Sequence, residues 1–139
     1  MKKLLLIFAF IQIQFNAVNA QVSGYTFAQA AGSVTALTAT YTTHTSGTTD
    51  YGVYQNVAIG FTFCYNGVNY TAVSISNDGW IEMGATLSNN TYTPISGTDN
   101  NIISALGADL QGLSGTGSLR SKLTGSAPNR KFTIEWLHY

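Results

Sequence analysis

The dipeptide Asn66-Gly67 stands between two runs, residues 59–65 and 68–76, in which apolar and polar side chains alternate. That arrangement is the strongest short-range signal for a β-hairpin. The same period-two pattern, rich in β-branched and aromatic residues and broken by Gly or Asn, recurs along the chain. It predicts strands near 25–28, 34–37, 57–64, 69–76, 80–83, 102–106, 118–123 and 131–138. Helical period is nowhere sustained; Ala28 to Ala31 is the one helix-friendly run, and Gly32 ends it. Short strands divided by turns predict an all-β fold, an antiparallel β-sandwich of jelly-roll or Ig-like type.

The hairpin register can be argued from burial. A two-residue loop at Asn66-Gly67 pairs Tyr65 with Val68 and, carried onward, Phe61 with Ala72, scattering apolar residues over both faces. A three-residue loop Tyr65-Asn66-Gly67, with Gly67 left-handed, shifts the pairing by one. Ile59, Phe61 and Phe63 then share a face with Thr71, Val73 and Ile75, while Cys64 points the other way, beside Thr62 and Tyr70. Because a one-residue slip moves a whole side-chain set to the opposite face, burial favours the second arrangement. The expected core is Phe61, Phe63, Val73, Ile75, Trp80, Phe132, Ile134 and Trp136.

Residues 40–56 read as a Thr-rich loop around Gly47, or as an irregular edge strand, since Thr has strand propensity. Residues 87–97 and the Gly/Ser-rich 111–117 read as loops. Ser126-Ala127-Pro128-Asn129-Arg130 reads as a tight turn before the last strand.

The first twenty residues have a different character. Met1-Lys2-Lys3 precedes an apolar run over 4–13 and the small-residue end Asn16-Ala17-Val18-Asn19-Ala20. This is the three-part pattern of a secretory signal peptide, with cleavage expected between Ala20 and Gln21. A transmembrane anchor needs about 20 apolar residues, and here Gln12, Gln14 and Asn16 interrupt. The expected organisation is a signal peptide at 1–20 and one β-sandwich module at 21–139. No membrane span is expected after removal of the signal, and the product is expected to be secreted or at the cell surface.

After such cleavage four basic residues remain against six acidic ones, a formal charge of −2. With no basic stripe to neutralise phosphates, nucleic acid is not an expected partner. One cysteine excludes an intrachain disulfide and any cysteine-based zinc cluster, so the fold must be held by its core.

Candidate chemistry is sparse. Gly112-Leu113-Ser114-Gly115-Thr116 misses the G-x-S-x-G elbow at its last position. His44 and His138 have no metal-ligand partner at short spacing and read as surface residues. Cys64 has no basic neighbour in sequence and reads as an inert thiol. Ser76-Asn77-Asp78-Gly79 carries the oxygens a calcium site uses without the spacing of a calcium loop; Asp78, Asp99 and Asp109 are the candidate calcium ligands. The alternative for this tetrapeptide is a turn that launches Trp80. Asn69-Tyr70-Thr71 and Asn89-Asn90-Thr91 match the N-glycosylation pattern, relevant only in a eukaryotic secretory pathway. Tyr51, Tyr54, Trp80 and Tyr92 are the candidate ligand contacts, as a stacking surface for sugars; the competing reading places such aromatics in the core.

Four stretches carry a family resemblance: Ile59-Gly60-Phe61-Thr62-Phe63, the Tyr65-Asn66-Gly67 turn, Val73-Ser74-Ile75-Ser76-Asn77-Asp78-Gly79-Trp80, and Ala127-Pro128-Asn129-Arg130-Lys131-Phe132-Thr133-Ile134-Glu135-Trp136. Across roughly residues 24–136 the chain resembles the N-terminal β module of large secreted and cell-surface proteins of Bacteroidetes. Those proteins often carry fibronectin type III repeats and a type IX secretion sorting domain. The motifs are turns and core positions, so the resemblance implies a fold and no catalytic residues. In that family further strands follow the Glu-Trp motif. The resemblance therefore implies an N-terminal fragment, a sandwich incomplete at its C-terminus, with strand 131–138 short of neighbours or flanked by uncovered apolar surface.

The expected function is that of a non-catalytic extracellular module for adhesion, glycan contact or spacing, with a glycan or a cell-surface protein as partner and no cofactor other than calcium. The alternative is an accessory module of a secreted hydrolase whose catalytic domain lies beyond Tyr139. A further alternative places an enzyme here, with Asp78, Asp109 and Glu135 as acids, which requires a defined carboxylate separation across a cleft.

Overall fold

The computed structural model describes residues 28–87 and 101–139. The chain divides into two units, residues 1–33 and 34–139. Of the first unit, residues 28–33 are described and have no regular secondary structure. The signal-peptide pattern at 1–20 and residues 25–27 of the first expected strand lie outside the described residues.

The second unit holds every described strand: β1 (Thr42–Ser46), β2 (Val53–Tyr65), β3 (Val68–Ser76), β4 (Trp80–Met83), β5 (Ile102–Ser104), β6 (Ser118–Thr124) and β7 (Lys131–Leu137). They form two antiparallel sheets, a meander β2-β3-β4-β5 and a three-stranded β1-β6-β7. The fold is an all-β sandwich. Its order departs from the Ig arrangement, in which the first strand neighbours the second; here β1 pairs with β6.

The Thr-rich segment supplies the edge strand β1, which carries an irregularity between Thr43 and Thr45. The strand expected at 34–37 does not form. Val34 is 98% exposed, and the following residues are held by side chains of the three-stranded sheet instead. The Leu37 amide donates to Glu135 Oε1 at 2.8 Å, and Lys122 Nζ donates to the carbonyls of Thr38 and Ala39 at 2.9 and 2.8 Å. The Arg120 guanidinium lies 4.4 Å from the centre of the Tyr41 ring. Residues 37–41 thus form a strap on the face of β6 and β7 that carries Arg120, Lys122 and Glu135.

The β2–β3 turn corrects the expected register. Tyr65 pairs with Val68, Cys64 with Asn69 and Phe63 with Tyr70, so the loop has two residues. Both loop residues have positive φ, Asn66 at 49° and Gly67 at 76°, as the tight hairpin turn that matches strand twist requires. The compensating shift lies further along β2. Ala58 pairs with Ala72 and Val57 with Val73, with an irregularity between Ala58 and Phe63. Gly60, at φ +83°, sits inside it. The shift still brings Val57 and Ile59 to the side of Val73 and Ile75, the outcome that burial demanded, but by a mid-strand bulge. Cys64 is exposed opposite Asn69, and Tyr70 lies across from Phe63, not beside Cys64.

The inter-sheet core is Ile59, Val73, Ile75, Met83 and Leu119, with Phe61, Phe132, Ile134 and Trp136 half-buried against it. Phe63 is corrected: it is 39% exposed. Trp80 is fully buried, but it pairs with Ser76 while Ile81 pairs with Ile75, so by register it stands on the opposite face of its sheet. The sheets are tied by the Trp136 indole N–H, which donates to the Ser76 carbonyl at 2.9 Å. The last hairpin turns as expected, with Asn129 N donating to Ser126 O at 2.7 Å and a cis Ala127–Pro128 bond. Among the described residues β7 has one strand neighbour, β6, and is a sheet edge.

Candidate functional site

Two places concentrate what could bind or react. The first is the turn between β3 and β4. Asn77 N donates to Gly52 O at 3.0 Å, Asp78 N donates to Ser76 Oγ at 3.1 Å, and Asp78 Oδ1 accepts from Leu110 N at 3.1 Å. The Asp78 carbonyl accepts from Ala108 N, and that of Gly79 from Ala105 N. The turn therefore anchors the loop that follows β5, and it does launch Trp80. Asp78 is 2% exposed. Burial raises its carboxyl above the ordinary range, and the negative charges of Asp109 and Asp50 add to this, against the opposing hydrogen bond from Leu110. The amide atoms of Asn77 and the hydroxyl of Tyr139 are buried without a hydrogen-bond partner among the described residues. Burial, with a smaller contribution from Tyr54, pushes the Tyr139 phenol up to about 12.

No three His, Cys, Asp or Glu side chains converge to hold a metal among the described residues. Asp99 lies outside those residues and Asp109 is exposed. Two of the three proposed acids are held by framework contacts, and Asp109 lies near enough for its charge to act on Asp78. Asp78 holds Leu110, and Glu135 Oε2 accepts from Arg120 Nε at 2.8 Å and from its terminal NH2 group.

The proposed stacking aromatics are likewise dispersed. Tyr51 is 70% exposed and Trp80 is fully buried. Tyr54 packs against the core with its ring 5.6 Å from His44. Tyr92 lies outside the described residues. His44 is corrected from surface to half-buried: it sits in the β1 irregularity with Nε2 2.9 Å from Ser121 Oγ, and burial lowers its pKa. His138 and Ser114 are exposed, the former with its carbonyl accepting from Leu113 N.

The second place was not found from sequence. A cleft of about 380 Å³ opens between the two sheets beside the start of β7. Phe63, Ile81 and Ile103 line one side, Phe132 the other, and Arg130 and Lys131 its rim. Register explains it: Ile103 pairs with Ile81, and Ile81 with Ile75, so the core-facing side continues from β3 through β4 to β5. A four-stranded sheet presents more apolar surface than three facing strands cover. Arg130 is held at the cleft by the Gly60 carbonyl at 3.4 Å and lies 5.1 Å from the centre of the Phe61 ring. The readable signal was the alternation of Ile81, Met83 and Ile103, which has no counterpart in β1.

A family model described as NIDO-related matches residues 24–139. The chain belongs to the NIDO-related family. No curated protein and no solved structure matches it. The NIDO-related assignment agrees with an all-β domain of extracellular type. Among the described residues of this NIDO-related chain, no helix is long and apolar enough to cross a membrane.

Proposed function

We propose that this domain is a non-catalytic module of a secreted or cell-surface protein, working in adhesion or spacing through protein contacts. One observation carries the reading: among the described residues, Asp78, Glu135 and Trp80, three of the side chains that could do chemistry or stack on sugars, are built into the framework. Glu135 is paired with Arg120 and holds Leu37. Asp78 holds Leu110, and Trp80 is fully buried. Of the four aromatic candidates, Tyr51 alone is described as widely exposed, and a flat sugar platform uses more than one ring. The signal-peptide pattern and the resemblance to Bacteroidetes surface modules support placement in an exported protein with further domains. A glycan array probed with the protein tests the reading. We expect no saturable signal that depends on Tyr51. A glycan bound by the parent and lost in Tyr51→Ala would replace adhesion through protein with lectin-like recognition.

A further inference from the structure

We propose that Asn66 is a site of spontaneous covalent modification, converted in the folded protein to aspartate and isoaspartate through a succinimide closed by the Gly67 nitrogen. The proposal does not rest on the adhesive reading.

The chemistry is intramolecular and needs only water. The Gly67 amide gives its proton to hydroxide, and its nitrogen attacks Cγ of the Asn66 carboxamide. A C–N bond forms, the bond from Cγ to the amide nitrogen breaks, and that nitrogen leaves as ammonia after taking a proton from water. Water then adds to one of the two ring carbonyls. Opening at Cγ leaves aspartate. Opening at the main-chain carbonyl leaves isoaspartate, whose backbone runs through the side chain and is longer by a methylene.

The hairpin tip supplies what this step needs. Tyr65 pairs with Val68, so the Gly67 N–H lies in the two-residue loop, outside the ladder. Asn66 is exposed, and its carboxamide has no hydrogen bond among the described residues. Nothing lies within 4 Å of a Cβ placed on Gly67, so neither a side chain nor a neighbour crowds the nitrogen. Asn56, Asn69 and Asn101, by contrast, precede Val57, Tyr70 and Ile102, bulky residues set in strands.

The chain carries its own comparison. In a flexible peptide Asp78-Gly79 would close the same ring, with water leaving in place of ammonia. Here Asp78 is buried with Oδ1 held by Leu110 N, and a Cβ on Gly79 would lie 3.1 Å from Leu110 Cδ1 and 3.2 Å from Gly107 N. The fold leaves one of the two pairs open and closes the other.

Conversion has a bounded effect. It puts a carboxylate at the tip, and isoaspartate lengthens a tight loop whose two residues both have positive φ. The disturbance reaches the pairs Tyr65–Val68, Cys64–Asn69 and Phe63–Tyr70, and the bond from the Tyr65 hydroxyl to the Ile102 carbonyl. It stops at the irregularity around Gly60, which resets the register. The core pair Val57–Val73 lies beyond it.

The test incubates the whole protein at pH 8 with and without urea. Peptide masses follow conversion at each asparagine, and isoaspartyl methyltransferase labelling reads isoaspartate. The folded protein should gain the amide-to-acid mass difference at Asn66, with isoaspartate there and none at Asp78; in urea both sites should react. Gly67→Ala, which puts a methyl group beside the attacking nitrogen, should slow the conversion by about tenfold or more. In the converted protein, hydrogen exchange should quicken at Tyr65 and Val68 while Val57 and Val73 keep their protection. An unchanged Asn66 in the folded protein overturns the proposal, as does equal conversion at Asn69 or Asn129. Isoaspartate at Asp78 without urea, or an unslowed Gly67→Ala, overturns it too. Quickened exchange at Val57 and Val73 overturns the confinement to the tip.

Discussion

Replacing Gly60 by alanine should destabilise the domain by about 2 kcal/mol, and the sum can be built from two sites. Gly60 and Gly67 both have positive φ, 83° and 76°. An L-residue in the left-handed region costs about 1–2 kcal/mol, and the smaller entropy of the unfolded alanine chain returns about 0.4–1 kcal/mol. At Gly67 nothing lies within 4 Å of an added Cβ, so Gly67→Ala measures this difference alone, about 0.5–1 kcal/mol. At Gly60 the new Cβ would come within 2.6 Å of Leu123 Cδ2, across the gap between β2 and β6. Leu123 is 45% exposed, so it can move aside, and the overpacking adds about 1 kcal/mol. Urea melts of Gly60→Ala, Gly67→Ala, Leu123→Ala and the double variant Gly60→Ala/Leu123→Ala separate the parts. The double variant should recover about 1 kcal/mol relative to additivity. At this domain size 1 kcal/mol corresponds to roughly 4 °C in Tm. Equal losses at Gly60 and Gly67, with additive behaviour in the double variant, would show that β2 and β6 do not meet at this point and that the bulge is misplaced.

Tyr139→Phe should leave the melting temperature unchanged or raise it, because its hydroxyl is buried without a hydrogen-bond partner among the described residues, and an ultraviolet titration should lose a tyrosine that ionises near pH 12. His44 is held below its ordinary value of 6.5 by burial, so its contribution is complete above pH 6.5 and is lost as pH falls from there through its folded pKa; stability against pH measured for the parent and His44→Gln should diverge in that window. Asp78 has the opposite sign: its raised carboxyl favours the fold below the ordinary 3.8 and loses that contribution as pH rises through the folded value. Asp78→Asn, which keeps an acceptor for Leu110 N, should therefore gain on the parent between pH 4 and pH 7 in denaturant melts, and a constant difference across that range would contradict the buried-carboxyl account.

The strands that could be read from sequence are those with one dry face. β3, β4, β6 and β7 alternate because Val73, Ile75, Met83, Leu119 and Ile134 meet other apolar groups. Val34 to Leu37 looked similar, but nothing in the local pattern says whether a partner strand exists, and Thr38 and Ala39 are held by Lys122 from 83 or more residues away. The Asn66-Gly67 turn was visible and its compensating bulge was not, since a hairpin fixes pairing only near its own loop. Sequence correctly favoured burial for Trp80. It could not show that Tyr51 would stay exposed while Tyr54 turned onto His44. The cleft escaped notice because it arises from a mismatch in the number of strands per sheet, which no local window contains.

The strap over the three-stranded sheet has a mechanical consequence. Leu37, Thr38 and Ala39 are fastened to Glu135 and Lys122 by a few polar bonds, and no β-ladder includes them. Tension applied from the N-terminal side meets these bonds one at a time, at low force, before it reaches the β1–β6 ladder. Residues 34–41 drawn out straight span roughly 25 Å. The expected response to traction is therefore that the strap yields before the sandwich does. Optical-trap extension should show it as a reversible step shorter than that full length, below the main rupture, abolished in Lys122→Ala/Glu135→Ala.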